Sequence, residues 1–123
     1  MLSQNEINGK VIAITGASGY IGSSLTSELK KYSAKIIRIS RKILTPEDGV
    51  EDWALDLNYL DSWIKIVGKV DIVFHLAGIA HNTLENEKNF QNYKRVNEEA
   101  TINLANLAVK NSVKRFIFVS STK

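Results

Sequence analysis

The sequence has 123 residues, of which 44% are hydrophobic and 24% are charged, so we expect one domain built around a single core. It contains no cysteine, which excludes disulfide bonds and every metal or nucleophilic site built on thiolates. A formal charge of +3 scattered along the chain, a start without a signal peptide and the lack of long apolar runs predict a cytoplasmic protein that binds neither nucleic acid nor membranes.

Short β-branched runs alternate with longer segments of helical spacing, a pattern typical of βαβ units and a parallel sheet. The predicted elements are, in chain order, a strand over Lys10–Thr15, a helix over Tyr20–Lys31, a strand over Lys35–Ser40, a loop over Arg41–Asp52, a brief strand over Asp52–Leu55, a helix over Tyr59–Val67, a strand over Asp71–Leu76, a helix over Phe90–Lys110 and a strand over Arg115–Ser120. The first strand is apolar at nearly every position, which predicts that it is the central strand, covered by helices on both faces.

Two helices have a periodic apolar face. In the first, Ile21, Leu25 and Leu29 are four residues apart and predict the face that packs on the sheet. The last predicted helix repeats apolar residues every three or four positions, at Phe90, Tyr93, Val96, Ala100, Leu104 and Leu107. The chain ends shortly after the fifth predicted strand, so we expect about five strands and a truncation before any substrate domain.

A glycine-rich turn, TGASGYIG, connects the first strand to the first long helix. Gly16 permits the sharp turn, Gly19 lets phosphates approach the backbone, and Gly22 lets the helix pack closely on the strand. Ser18 adds a hydroxyl donor. Serines follow Gly22 where a nucleoside-triphosphate loop needs lysine, so the pattern predicts a Rossmann-type dinucleotide site; the alternative is a tight turn without a ligand.

The Gly-x-x-Gly-x-x-Gly spacing of this turn resembles the fingerprint of extended short-chain dehydrogenases/reductases of the NAD-dependent epimerase/dehydratase type. Further segments resemble the family's motifs in the same order: Asp56-Leu57, HLAG over His75–Gly78, VNEEATINLA with Asn97, and RFIFVSST with Ser121. Ala100 departs from the family, which usually has glycine at that position. The resemblance covers the chain from Lys10 onward and implies an α/β Rossmann fold with a doubly wound parallel sheet.

The resemblance also implies a set of cofactor-binding residues. They are Gly16, Ser18, Gly19, Tyr20, Ile21, Gly22, Ser40, Arg41, Asp56, Leu57, Leu76, Ala77, Gly78 and Asn97. Some of these have structural alternatives: Asp56 is also a suitable N-cap for the helix that follows it, and small residues after His75 also suit packing. We expect His75 itself to be a core or supporting histidine.

The end of the second strand bears on the choice of cofactor. An acidic residue there accepts hydrogen bonds from the adenosine ribose of NAD, whereas a cation accommodates the 2′-phosphate of NADP. This chain has Ser40, Arg41 and Lys42, with no acid, so the sequence favours NADP over NAD. The alternative is that both cations are solvated loop residues.

The resemblance implies catalysis by a serine or threonine, a tyrosine and a lysine, with hydride passing to or from nicotinamide and a proton exchanged with a sugar hydroxyl. Ser121 matches the serine, but no tyrosine of the chain has a lysine four residues later. We therefore expect residues 1–123 to be the NAD(P)-binding part of a nucleotide-sugar epimerase, dehydratase or reductase, inactive by itself.

Two alternatives stay open for the function. The basic end of the second strand favours an NADPH-dependent reductase of nucleotide keto-sugars over an epimerase. A non-catalytic dinucleotide-binding module is the other possibility. The family often forms homodimers through helices at a sheet edge, and the segment Phe90–Lys110 is either such a helix or an ordinary core element. No metal site is expected.

Overall fold

The fold is a five-stranded parallel sheet with helices against both faces. The computed structural model describes residues 3–17, 19–55, 63, 68–76 and 87–119, and of residues 87–97 it describes only the backbone. The strands are β1 Val11–Thr15, β2 Lys35–Ser40, β3 Val50–Ala54, β4 Ile72–Leu76 and β5 Arg115–Val119. The helices are α1 Gln4–Ile7, α2 Tyr20–Leu29 and α3 Glu87–Lys110.

The strand order β3-β2-β1-β4-β5 confirms the prediction that the first strand lies at the centre. Ala13 of β1 is level with Ile37 of β2 on one side and with Val73 of β4 on the other. The chain builds outward from β1 through β2 to β3, and then crosses back to add β4 and β5 on the opposite side. The order therefore reverses between β1 and β4, and crevices at such a reversal are where open α/β sheets bind ligands.

Each face of the sheet carries its own hydrophobic cluster because side chains alternate along a strand. Leu104 and Ala108 of α3 pack on one face, in a cluster completed by Ala13, Ile37, Ile39, Trp63, Val70 and Val73. On the other face, Ile7 of α1 and Leu29 of α2 pack in a cluster with Ile12, Ile14, Ala17, Ile36, Ile72 and Leu76. The burial of Leu104 and Ala100 agrees with the apolar face predicted for the last helix.

Two of the three residues predicted to face the sheet from α2 do so, since Leu29 is buried and Leu25 packs against the same cluster, whereas Ile21 does not. Ile21 is 53% exposed, whereas Gly22, Thr26 and Leu29 are buried. The reason is the close packing of Gly22 on the backbone of Ala17, which fixes the rotation of the helix about its axis. The apolar spacing predicted the helix and the positions of Leu25 and Leu29, but it did not indicate that Gly22 and Thr26 are buried.

Several boundaries differ from the predictions. α2 ends at Leu29 rather than Lys31, and α3 begins at Glu87 rather than Phe90. β3 begins at Val50, within the predicted loop, because five residues pair with β2 in parallel register. The predicted helix over Tyr59–Val67 lies outside the described residues except for Trp63, which is buried.

The short helix α1 was not predicted. Its signal was present in Ser3 and Glu6, which form a capping box: the Ser3 hydroxyl accepts from the Glu6 N–H, and the Glu6 carboxylate accepts from the Ser3 N–H. In the described ranges, no helix combines the length and apolar character needed to cross a membrane, although α3 has 24 residues.

Candidate functional site

The turn after β1 lies in the crevice between β1 and β4. Gly16 has φ +68°, and its N–H donates to the carbonyl oxygen of Ile39 in β2 at 3.0 Å. A Cβ atom on Gly16 would lie 2.5 Å from the carbonyl oxygen of Leu76, at the end of β4. The turn is therefore held between its two neighbouring strands, and glycine is required there both by backbone conformation and by space.

Gly22 brings α2 against the turn. A Cβ atom on Gly22 would lie 2.6 Å from both the Cα and the carbonyl oxygen of Ala17. The carbonyl oxygen of Gly22 accepts a hydrogen bond of 2.8 Å from the buried hydroxyl of Thr26. The close contact sets the helix start directly beside the carboxyl end of β1, as the predicted role of this glycine requires.

Gly19 has no comparable packing reason to be glycine. It is the N-cap of α2, its φ of −85° is open to any residue, and no atom of the described residues lies within 4 Å of its Cβ position. Among the described residues, no side chain caps this end of the helix. The first N–H groups of α2 lie at the positive end of the helix dipole, a suitable environment for an anion.

Two large apolar side chains beside this opening are exposed to solvent. Tyr20 is 86% exposed and Ile21 is 53% exposed, although both belong to the first turn of α2. Because most of the Tyr20 surface and about half of the Ile21 surface face solvent, both can pack against a molecule that lies across the turn.

The end of β2 presents the two cations predicted to select the cofactor. Ser40 is partly buried and its hydroxyl donates to the carbonyl oxygen of Lys42, while its own carbonyl oxygen accepts from the Leu55 N–H at 2.9 Å. Arg41 is exposed, and in the described part of the chain neither Arg41 nor Lys42 forms an ion pair.

A buried ion cluster adjoins this segment, and sequence reasoning missed it. Arg38 in β2 is only 5% exposed and forms a bidentate pair with Asp52 of β3, at 2.7 and 2.8 Å. Its Nη1 atom donates to Glu47 at 2.7 Å and its Nη2 atom to the carbonyl oxygen of Thr45 at 2.9 Å. The signal was a single arginine inside the apolar run KIIRIS.

The contacts within this cluster stabilise the charged forms of Arg38 and Glu47. The hydrogen bond to Asp52 raises the pKa of Arg38 above its usual value. The hydrogen bond from Lys30, followed by the charge of Arg38, lowers the pKa of Glu47. Lys30 at the end of α2 lies 3.0 Å from the Glu47 carboxylate, so the cluster connects the helix, both strands and the loop between them.

His75 is a core residue, as expected from the sequence. Its Nδ1 atom lies 2.5 Å from the hydroxyl oxygen of Thr15, its Nε2 atom lies 2.8 Å from that of Thr101, and its ring stacks on Phe118. Burial lowers the pKa of His75 from 6.5 to about 4, so the ring is neutral at pH 7. In the described ranges no three His, Asp or Glu side chains are close enough to hold a metal ion.

The structure brings part of the predicted site together. Gly16, Ser40 and Leu76 lie at the carboxyl ends of adjacent strands, and the turn continues into Tyr20 and Ile21. Other predicted residues lie outside the described residues: Ser18, Asp56, Leu57, Ala77, Gly78, Ser121 and the side chain of Asn97.

Comparison with known proteins identifies the same family that the sequence motifs resemble. The sequence model of the NAD dependent epimerase/dehydratase family matches residues 12–123. A UDP-glucose 4-epimerase of Vibrio cholerae is 33% identical over 116 residues, which make up 93% of this chain and 35% of that enzyme. The chain therefore spans about a third of the length of this relative.

Solved structures show the same architecture. An epimerase from Methanothermobacter thermautotrophicus superposes with a TM-score of 0.77 and 29% identity, over 97% of this chain and 37% of that one. MoeE5 in complex with UDP-glucose and NAD superposes with a TM-score of 0.75 and 31% identity, over 93% of this chain and 37% of that one. These matches confirm the predicted Rossmann-like fold.

Proposed function

Because this chain belongs to the NAD dependent epimerase/dehydratase family, we propose that it is the dinucleotide-binding part of an enzyme that acts on a nucleotide sugar. The observation that carries the proposal is that no described residue lies within 4 Å of the Cβ position of Gly19, at the start of a helix that no described side chain caps. Gly16 and Gly22 are glycines for reasons of packing, whereas Gly19 is explained by the close approach of a ligand.

A pyrophosphate suits this opening. The N–H groups at the start of α2 are donors, and the helix dipole favours a negative charge beside them. Leu76 borders the same crevice from β4, and Tyr20 and Ile21 offer apolar contact at its rim. We assign cofactor contacts to these residues, and to Ser18, Asp56, Leu57, Ala77, Gly78 and Asn97 as predicted from the sequence.

We further propose that the cofactor is NADP rather than NAD. Arg41 follows the end of β2, where the adenosine ribose of a bound dinucleotide is expected, and it has no ion-pair partner in the described ranges. Its planar guanidinium suits a 2′-phosphate, and Ser40, which also carries a hydrogen-bonding group, precedes it in the sequence. The relative MoeE5 was solved with NAD, which keeps NAD as the competing choice.

The proposed reaction is hydride transfer at a hydroxyl or keto group of the sugar. When bound, the dinucleotide accepts or supplies the hydride. Ser121 is proposed to hydrogen-bond the reacting sugar oxygen, and the tyrosine and lysine that complete such a site have no match in this sequence. We therefore propose that the 123-residue chain binds dinucleotide but does not turn over substrate by itself.

The test is a titration of the purified chain with NADPH, NADP, NADH and NAD, followed by cofactor fluorescence or by heat. Tighter binding of the phosphorylated forms, lost in Arg41→Asp, would support both the site and the choice of NADP, and would favour a keto-sugar reductase. Tighter binding of NAD would favour an epimerase or dehydratase and make Arg41 a solvated residue. Absence of binding to all four would refute the proposal.

A further inference from the structure

The segment from residue 41 to residue 49 joins β2 to β3 and is fixed to a buried guanidinium. Arg38 donates to the backbone carbonyl of Thr45 and to the carboxylate of Glu47, both in the returning half of the segment. The bidentate pair with Asp52 fixes the guanidinium itself to β3. A charged group is costly to bury, and four hydrogen bonds at 2.7 to 2.9 Å offset that cost here.

The same contacts determine which acidic residues of this region pair with which basic residues. Glu47 binds Lys30 as well as Arg38, and Asp52 is occupied by the Arg38 fork. Glu51 is 3.4 Å from Lys35. These acids are therefore paired with residues other than the two cations at the end of β2.

The start of the segment is fixed as well. Ser40 is paired with Ala54 in the sheet, and its hydroxyl donates to the carbonyl oxygen of Lys42. Because both ends of the segment are held by these contacts, the backbone at Arg41 is restrained. The exposed Arg41 side chain therefore extends from a restrained position.

We propose that Arg38 is a positioning residue for cofactor recognition: through Thr45 and Glu47 it holds the segment in the shape that presents Arg41 to the ribose end of the dinucleotide. This inference rests on the proposed function. Arg38 itself is buried, and its effect on the ligand passes through the segment. It therefore determines how well the protein discriminates between a 2′-phosphate and a 2′-hydroxyl.

The test uses Glu47→Ala, which removes one of the two anchors in the segment together with the Lys30 pair, and leaves the Thr45 anchor and the Arg38–Asp52 pair that joins the strands. Its matched control is Glu28→Ala, which removes another exposed acid that pairs with a lysine of the α2 region, Lys31, at 3.3 Å. Arg38→Lys is a second variant, which keeps the charge but loses the planar fork.

Two measurements are made on wild type and variants. Without ligand, trypsin should cleave after Arg41 and Lys42 at least about threefold faster in Glu47→Ala than in wild type, because the segment opens more often. With ligand, the ratio of the Kd values for NAD and NADP should move toward one by at least about threefold. Glu28→Ala should change neither quantity.

The outcomes separate the two proposals. If wild type binds dinucleotide and both Glu47→Ala and Arg38→Lys keep the wild-type Kd ratio, the role of Arg38 is refuted while the proposed function stands. An equal loss of affinity for both dinucleotides also refutes it. If wild type binds neither dinucleotide, the proposed function fails and the cofactor role of Arg38 with it; faster cleavage of both Glu47→Ala and Arg38→Lys would then still show that the contact between Arg38 and Glu47 holds the segment.

Discussion

The carbonyl oxygen of Leu76 lies 2.5 Å from the position that a Cβ atom on Gly16 would occupy. Gly16 follows β1 and Leu76 ends β4, so this contact lies where the strand order reverses. The two backbones can come this close only because the residue after β1 has no side chain. The same contact lies at the point of the sheet where we propose that the dinucleotide binds.

Gly16→Ala is expected to destabilise the protein strongly. The new methyl group would collide with backbone rather than with a movable side chain, and alanine is also disfavoured at φ +68°. We expect a loss of at least about 3 kcal/mol in the free energy of unfolding, measured with urea. Gly9→Ala is the control: Gly9 has φ +77° but open space around it, so only the conformational cost of about 1 kcal/mol should remain. Equal losses in both variants would contradict the steric argument.

Gly19→Ala is expected to separate binding from stability. No described residue lies within 4 Å of the Cβ position of Gly19 and its φ is ordinary, so the free energy of unfolding should change by less than about 1 kcal/mol. The affinity for dinucleotide should fall at least about tenfold, because the methyl group occupies the path of the phosphates. Both quantities can be measured on the same preparation. Unchanged affinity would show that the phosphates do not contact Gly19.

The buried imidazole of His75 should make stability depend on pH. Its pKa is lowered from 6.5 to about 4 by burial, so on acidification the unfolded chain binds the proton before the folded one does. The contribution of His75 to the free energy of unfolding is fully present above pH 6.5, decreases as the pH is lowered to about 4, and decreases no further below that. The total loss should be on the order of 3 kcal/mol, measured by urea unfolding at several pH values.

His75→Asn provides the control for this pH dependence. The variant keeps His81 and every carboxylate, so the difference between the two stability curves isolates His75. We expect the variant to be less stable at pH 7, because Thr15 and Thr101 lose the ring that joins them, and to lose less stability on acidification. Parallel curves would mean that His75 does not titrate as its burial indicates.

Asp52→Asn should be costly because it leaves the guanidinium of Arg38 buried without its main counter-charge. Asp52 and Arg38 side chains are 11% and 6% exposed, and breaking such a pair on one side should lower the free energy of unfolding by about 3 kcal/mol. Glu28→Gln breaks the exposed pair with Lys31, whose side chains are 61% and 69% exposed, and should change stability by less than about 0.5 kcal/mol. Thermal or urea unfolding of both variants compares a buried with an exposed pair; similar losses would contradict this account.

Gly16, Gly19 and Gly22 show which features of the turn could be predicted from the sequence and which could not. Their spacing between a strand and a helix was sufficient to predict a turn, and the structure assigns packing reasons to Gly16 and Gly22. Whether Gly19 contacts phosphates stays a prediction, because the space above it is consistent with a ligand but does not identify one.

The sequence by itself determined the parallel sheet, its central strand and the family, because these depend on apolar periodicity and on motifs that are local along the chain. Only the tertiary structure decided the exposure of Ile21, which follows from the packing of Gly22 on Ala17. It alone decided the pairing of Arg38 with Asp52, 14 residues away. The partners of His75 are likewise set by folding, since Thr15 is 60 residues distant and meets it only when β1 and β4 pair. Side-chain contacts between strands depend on register, and register is fixed only when the whole sheet has formed.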